Sequence, residues 1–357
     1  MIIFTTMSAR YGFFSNITLI ETIQNRFGRF FGLLIGASIF IVSISFQSGN
    51  SIGAGIAMAS IFKTSTEPWI IFFSFIAIVV LFFKSFYKIL EKIMIVLVLI
   101  MLISFLITVI ISSPNWELVL QGFIPKIPQG SEILAIAIVA TSFSVAGAFY
   151  QSYLVQEKSW KPALPAGRKN AFGSCKTESI TGILMLGIIS SLVLIASGSV
   201  LYTNGISVTS AADMGKALEP LFGSSSFIIF MIGLLAASFS SLIGNATLGG
   251  NILADTLKIG KTHQQWTTRL IIMILIVIGS SLAIAFSSLR LKLIVFAQGF
   301  TILIVPVIAY VILNITNSQS VMGQHKNSMI IRIIGLLGIL LLAVLAIIYA
   351  YLVYFKN

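Results

Sequence analysis

Residues 132–155 read EILAIAIVATSFSVAGAFYQSYLV, and this stretch decides the fold. It is longer than the ~20 apolar residues a helix needs to cross a ~30 Å hydrocarbon core. Its middle, however, is Thr141-Ser142-Phe143-Ser144-Val145-Ala146-Gly147-Ala148, a run of hydroxyls and small residues. Such a run weakens a helix at membrane depth and frees backbone carbonyls, the device with which transporters build ion sites at the midplane. A bent helix packed through its small residues accounts for the same text equally well. The residues alone leave both open.

The same length criterion, moved along the chain, gives complete spans near 31–62, 68–87, 91–112, 132–155, 177–201, 226–254, 268–288, 291–314 and 329–354. Met1–Ser8 is apolar but too short to cross, and reads as the last turns of a helix. Hydrophobic residues make up 57% of the 357 residues, charged residues only 9%, and the mean hydropathy is +1.05. A soluble domain carries about 25% charged residues to solvate its surface, so a soluble protein is excluded. The expectation is an all-α polytopic membrane protein in one transmembrane domain covering 1–357, with lipid around it.

The net charge of +12 does not point to nucleic acid, because the 22 Lys and Arg sit in short gaps between apolar spans. There they act as topology signals. With the gap at 9–30 on the cytoplasmic side, sixteen of the 22 fall inside, among them Arg10, Arg26, Arg29, Lys258 and Lys261. Lys63, Lys126, Lys216, Arg290, Lys292 and Lys356 fall outside, and the C-terminus lies outside with them. Cys175 is the only cysteine, so no internal disulfide forms. His263 and His325 lie in separate polar gaps, which argues against a histidine zinc site, against an intramembrane hydrolase, and so against an enzyme; no cofactor is implied. Met1–Met7 lacks the charged leading region of a signal peptide.

Several spans carry polar groups. Gln47 and Asn50 lie three residues apart, on one helix face, and primary amides in lipid must find partners. Gly49 and Gly53 have small-xxx-small packing spacing. Asn245, Thr247, Gly249, Gly250 and Asn251 end one span, and Gln298-Gly299 interrupts another; together they point to a polar interior pathway. All ten Asp and Glu fall in gaps or at span ends. A proton relay through a bilayer uses buried Asp, Glu or His, and none stands at mid-depth.

These residues resemble a family. Ser8-Ala9-Arg10-Tyr11-Gly12 with Arg26-Phe27-Gly28-Arg29 is similar to the segment after the second helix of the natural resistance-associated macrophage protein family of divalent metal transporters. Asn50-Ser51-Ile52-Gly53-Ala54-Gly55-Ile56-Ala57 resembles its third helix, and Gln121-Gly122-Phe123-Ile124-Pro125 the loop before its sixth. Thr141 to Gln156 resembles the sixth helix itself, where the metal transporters carry a Met-Pro-His signature. More narrowly the chain resembles the prokaryotic branch associated with magnesium. The resemblance implies the leucine-transporter-type inverted-repeat fold, with the tail of helix 2 at 1–10 and helices 3–11 at about 31–354. It also implies the plasma membrane of a prokaryote.

The departures from the family carry the functional expectation. Ser144 stands where the family has its ligand methionine, Ala146 where it has the histidine, and Thr141 where it has an upstream alanine. With Gly147 and Gln298, these form the expected cation pathway. A thioether favours transition metals, whereas magnesium dehydrates reluctantly and keeps several waters, which suits hydroxyl oxygens. Gln47 and Asn50 stand where the family has acids of its proton route. The family's first helix, with its metal-binding aspartate and asparagine, is missing, so a start further upstream is expected. The expected function is uncoupled uptake of Mg2+ or Mn2+. The alternatives are a proton-coupled Mn2+ or Fe2+ importer and a non-transporting truncated membrane protein. Oligomeric state is left undecided.

Overall fold

The chain is described by a computed structural model covering residues 1–82, 84–124, 126–127, 129–159, 168–208, 211–261, 265–286, 295, 299 and 301–355. Among these residues all regular structure is helical. The chain opens with α1 (Ile2–Phe14), longer than the expected 1–10, which ends where Ser15 turns extended. The gap read as a connector then contains a helix of its own, α2 (Leu19–Phe27). Thr18 and Glu21 have the Ser/Thr-x-x-Glu spacing of a capping box, and the Thr18 hydroxyl accepts from the Glu21 amide at 3.3 Å. Leu19, Ile20 and Ile23 bury one side of α2. Gly28 separates it from the next helix at φ 90, a conformation that glycine adopts without a Cβ penalty.

Helix α3 (Arg29–Phe62) has 34 residues, about 51 Å at 1.5 Å per residue, so it overshoots the hydrocarbon or tilts within it. There follow α4 (Glu67–Val80), α5 (Lys84–Ile111), α6 (Glu132–Ser142), α7 (Val145–Ser159) and α8 (Arg168–Ser197), which continues as a π-helical turn over Gly198–Tyr202. The last four are α9 (Ser226–Thr256), α10 (Trp266–Ala285), α11 (Val305–Asn317) and α12 (Met329–Tyr354). Among the described residues six helical stretches are long and apolar enough to cross a membrane, or seven if the bent pair over 301–325 counts as one span. The expected spans are reshaped accordingly. The one at 68–87 is helical as α4 only to Val80, 14 residues or ~21 Å, short of the hydrocarbon thickness. The one at 91–112 starts earlier, at Lys84. Much of the one at 291–314, with Gln298, lies outside the described residues.

The long pair α3 and α9 forms the middle of the molecule. A Cβ on Gly36 of α3 would fall 2.1 Å from the Thr256 hydroxyl, and one on Gly249 of α9 would fall 2.5 Å from Ser43. Backbones can approach this closely only through small residues, the van der Waals route to helix association in lipid. The largest apolar cluster joins α1, α2, α3, α6, α7, α9, α11 and α12 through residues such as Tyr11, Ile39, Phe149, Ile252, Ile312 and Leu342. A second joins α3, α4, α9 and α10. Outward faces stay apolar: on α12, Leu340 is 62% and Ile347 69% exposed. That is the surface of a protein solvated by hydrocarbon.

Candidate functional site

The hydroxyl-rich run does break its helix. The amide of Phe143 makes the last bond of α6, to the Val139 carbonyl at 2.8 Å, and Phe143 leaves the helix at φ −91, ψ 52. The ladder resumes with the amide of Ala148 donating to the Ser144 carbonyl at 2.9 Å. Between them the C-terminal carbonyls of α6 and the N-terminal amides of α7 lose intrahelical partners. They place opposite partial charges at one point in the chain. The hydrogen-bond ladder is thus interrupted, while the two pieces together still make one 26-residue membrane span over Glu132–Glu157.

The expected pathway residues divide around this break. Ser144 lies on it, half-buried, and its hydroxyl sits beside Gly147, where a Cβ would come within 2.9 Å of the oxygen. Gly147 thus leaves the space that the Ser144 hydroxyl uses. Thr141 is on an exposed face of α6, and its hydroxyl donates back to the Ala137 carbonyl at 2.9 Å. Ala146 is 5% exposed and packs into the main apolar cluster with Ile136 and Ala140. Among the described residues no group of three His, Cys, Asp or Glu gathers, so the oxygens offered at the break are hydroxyls and backbone carbonyls.

Gln47 and Asn50 occupy a different seam. Gln47 is 0% exposed and lies against Gly279 of α10, where a Cβ would come within 2.5 Å of its Cγ. Neither of its amide atoms has a partner among the described residues, and the Asn50 Nδ2 is likewise buried without one. One turn further, the Ser51 hydroxyl meets that of Ser280 at 3.3 Å, and Ser280 meets Ser74 at 2.5 Å. A row of neutral hydroxyls therefore links α3, α4 and α10 beside the buried amide.

Of a third group only Asn251 was singled out in the sequence. Tyr153 Oη donates to Asp255 Oδ2 at 2.7 Å, and Asn251 Nδ2 donates to Tyr150 Oη at 2.7 Å. Asp255, read only as an acid at a span end, is 3% exposed in the last turn of α9. The available signal was the i, i+4 spacing of Asn251 and Asp255 at the end of an apolar run, matched by Tyr150 and Tyr153 at i, i+3. His325 takes no part; it stacks on Phe14 with ring centroids 3.6 Å apart. His263 lies outside the described residues.

Comparison with known proteins identifies the family and the fold. The divalent metal cation transporter MntH of Caldanaerobacter subterraneus subsp. tengcongensis is 29% identical over 232 residues, 64% of this chain and 53% of that protein. The protein of the same name from Nostoc sp. is 29% identical over 227 residues, 61% and 51% of the two chains. The natural resistance-associated macrophage protein 2 homolog of Dictyostelium discoideum is 22% identical over 240 residues, 64% and 36%. The chain thus spans about half the length of the curated relatives it matches. A solved structure of the Eremococcus coleocola manganese transporter, in complex with an aromatic bis-isothiourea substituted compound, superposes with a TM-score of 0.78 at 18% identity. A mutant of the same transporter gives 0.77, and in each case 100% of this chain and 79% of the other are covered. The shared fold is the leucine-transporter-type arrangement that the family resemblance implied. The model of the family described as natural resistance-associated macrophage protein-like matches residues 1–352, and the chain belongs to that family.

Proposed function

We propose that the protein carries a divalent metal ion across the plasma membrane, and that the ion is Mg2+, with Mn2+ the second choice, moving without protons. The observation that carries this reading is the Ser144 hydroxyl, set at the break between α6 and α7 and given room by Gly147. A hydroxyl and loose carbonyls are hard oxygen donors. They suit a cation that keeps several waters, and no soft sulfur or imidazole stands at residues 141–148 to select a transition metal. Helices numbered 3–11 on the family's scheme, following the tail of helix 2, frame that site in a single transmembrane domain.

The second choice, Mn2+, has its own support: the superposed Eremococcus coleocola protein is a manganese transporter. One substitution separates the two. Ser144→Met puts a soft thioether where the oxygen sits. In proteoliposomes with fluorescent ion reporters it is expected to shift the Mg2+ to Mn2+ uptake ratio toward Mn2+ by about tenfold, one to two kcal/mol of ligand preference. An unchanged ratio would mean that Ser144 does not face the ion.

A further inference from the structure

Beyond the break, α7 is tied down along one face. Tyr150, Tyr153 and Gln156 follow at three-residue spacing, hence on the same side of the helix, and each reaches out of α7. Tyr153 binds Asp255 of α9 and Tyr150 takes the amide of Asn251, both at 2.7 Å. Gln156 Nε2 donates to the Ile17 carbonyl, in the connector between α1 and α2, at 2.7 Å. Tyr153, Gln156 and Asp255 are 7%, 1% and 3% exposed. Lys261 adds an ion pair to Glu21 at 3.0 Å on the rim.

Two cavities flank the Tyr153–Asp255 bond. The inner one is about 40 Å³ and is lined by Thr18, Tyr150, Tyr153 and Asn251 among others. The outer one is about 390 Å³ and contains Asp255 with Glu21, Lys258 and Lys261. Asn251 is 4% exposed, borders the inner cavity, and its Oδ1 has no partner among the described residues. The inner cavity has room for a few water molecules at most. A divalent ion with several waters attached does not fit it. The bond joins the linings of the two cavities, Tyr153 in the small one and Asp255 in the wide one, and Lys261 lines both.

We infer that the Tyr153–Asp255 hydrogen bond is a bolt holding α7 closed on the side the Lys and Arg distribution assigns to the cytoplasm. Its release lets α7 swing about the Phe143–Ser144 break. This inference rests on the transport reading above for its purpose, but not for its test. The break makes the motion cheap, because no continuous ladder ties α7 to α6, and hinges form where a few element-terminal residues absorb the change in backbone angles. Tyr153 and Asp255 are on this account positioning residues: neither has to touch the ion.

The test is hydrogen–deuterium exchange on the full chain in lipid nanodiscs. Tyr153→Phe removes one oxygen and is expected to speed exchange of amides in 145–159 about fivefold to tenfold, the worth of one hydrogen bond, with α3 amides unchanged. Asp255→Ala, which removes the acceptor instead, is expected to give the same pattern and serves if Tyr153→Phe does not fold. Asp255→Asn keeps an acceptor and is expected to restore most of the protection. Unchanged exchange in α7 overturns the bolt, and so does a rise shared equally with α3. Mg2+ uptake measured on the same preparation tests the transport reading separately, so that either can fail alone.

Discussion

At the scale of single residues, Gln47 and Gly279 make the sharpest claim. A fully buried amide faces a glycine so closely that a Cβ there would lie 2.5 Å from the Gln47 Cγ. Gly279→Ala is therefore expected to destabilise the protein by about 1–3 kcal/mol through overpacking. Gln47→Ala opens the space, so the double variant is expected to recover most of that loss, a coupling of about 1 kcal/mol or more. Thermal unfolding of the four proteins in detergent measures it; additive losses would mean the two residues do not meet. That Gln47 is interior was legible, since an amide in a 34-residue apolar helix has to find protein rather than lipid. That its neighbour is Gly279 was not, because nothing local to either residue names a partner more than 200 positions away.

At the scale of elements, α2 and the α6–α7 break fell differently. The place of the break was marked by adjacent residues, since Thr141 to Gly147 bring together hydroxyls and a glycine that weaken a helix, but whether the helix bends or breaks there was left open by the text. Helix α2 was passed over because it is short and half-polar, and a criterion built on hydrocarbon thickness cannot register it. The capping pair Thr18 and Glu21 was its available signature. The connection from α2 into α3 depends on Gly28 at φ 90, with no other group within 4 Å of where a Cβ would be. Any cost of Gly28→Ala is thus backbone strain alone. It is expected to lower stability by about 1–2 kcal/mol, read as a lower unfolding temperature. No change would place Gly28 in an ordinary conformation.

For the whole molecule, the distribution of charge sets the energetics of transport. Asp255 is the only buried acid among the described residues, and it stands in the last turn of α9 rather than at mid-depth. Gln47 and Asn50 do not titrate near neutral pH, and the hydroxyls of Ser51, Ser74 and Ser280 beside them do not either. Metal entry on the proposed function then follows its gradient and the membrane potential, about 2.3 kcal/mol per charge per 100 mV and twice that for a dication. With a pH dye inside proteoliposomes and a Mg2+ gradient across them, uptake is expected to leave lumenal pH unchanged. Acidification that scales with uptake, after correction for leak, would replace the uncoupled mechanism with a coupled one. By itself the sequence determined that the chain is a bundle of membrane helices, which stretch carries the hydroxyl and small residues where a helix can bend or break, and which gaps carry the positive charge. Each of these is a cost that a residue meets on its own or with its near neighbours in a solvent of hydrocarbon. Only the tertiary structure decided that Gln47 sits on Gly279 and that Tyr153 closes on Asp255, 102 residues away. Those pairings come from how small residues let whole helices approach and rotate against one another, and that is a property of the packed bundle that no single stretch contains.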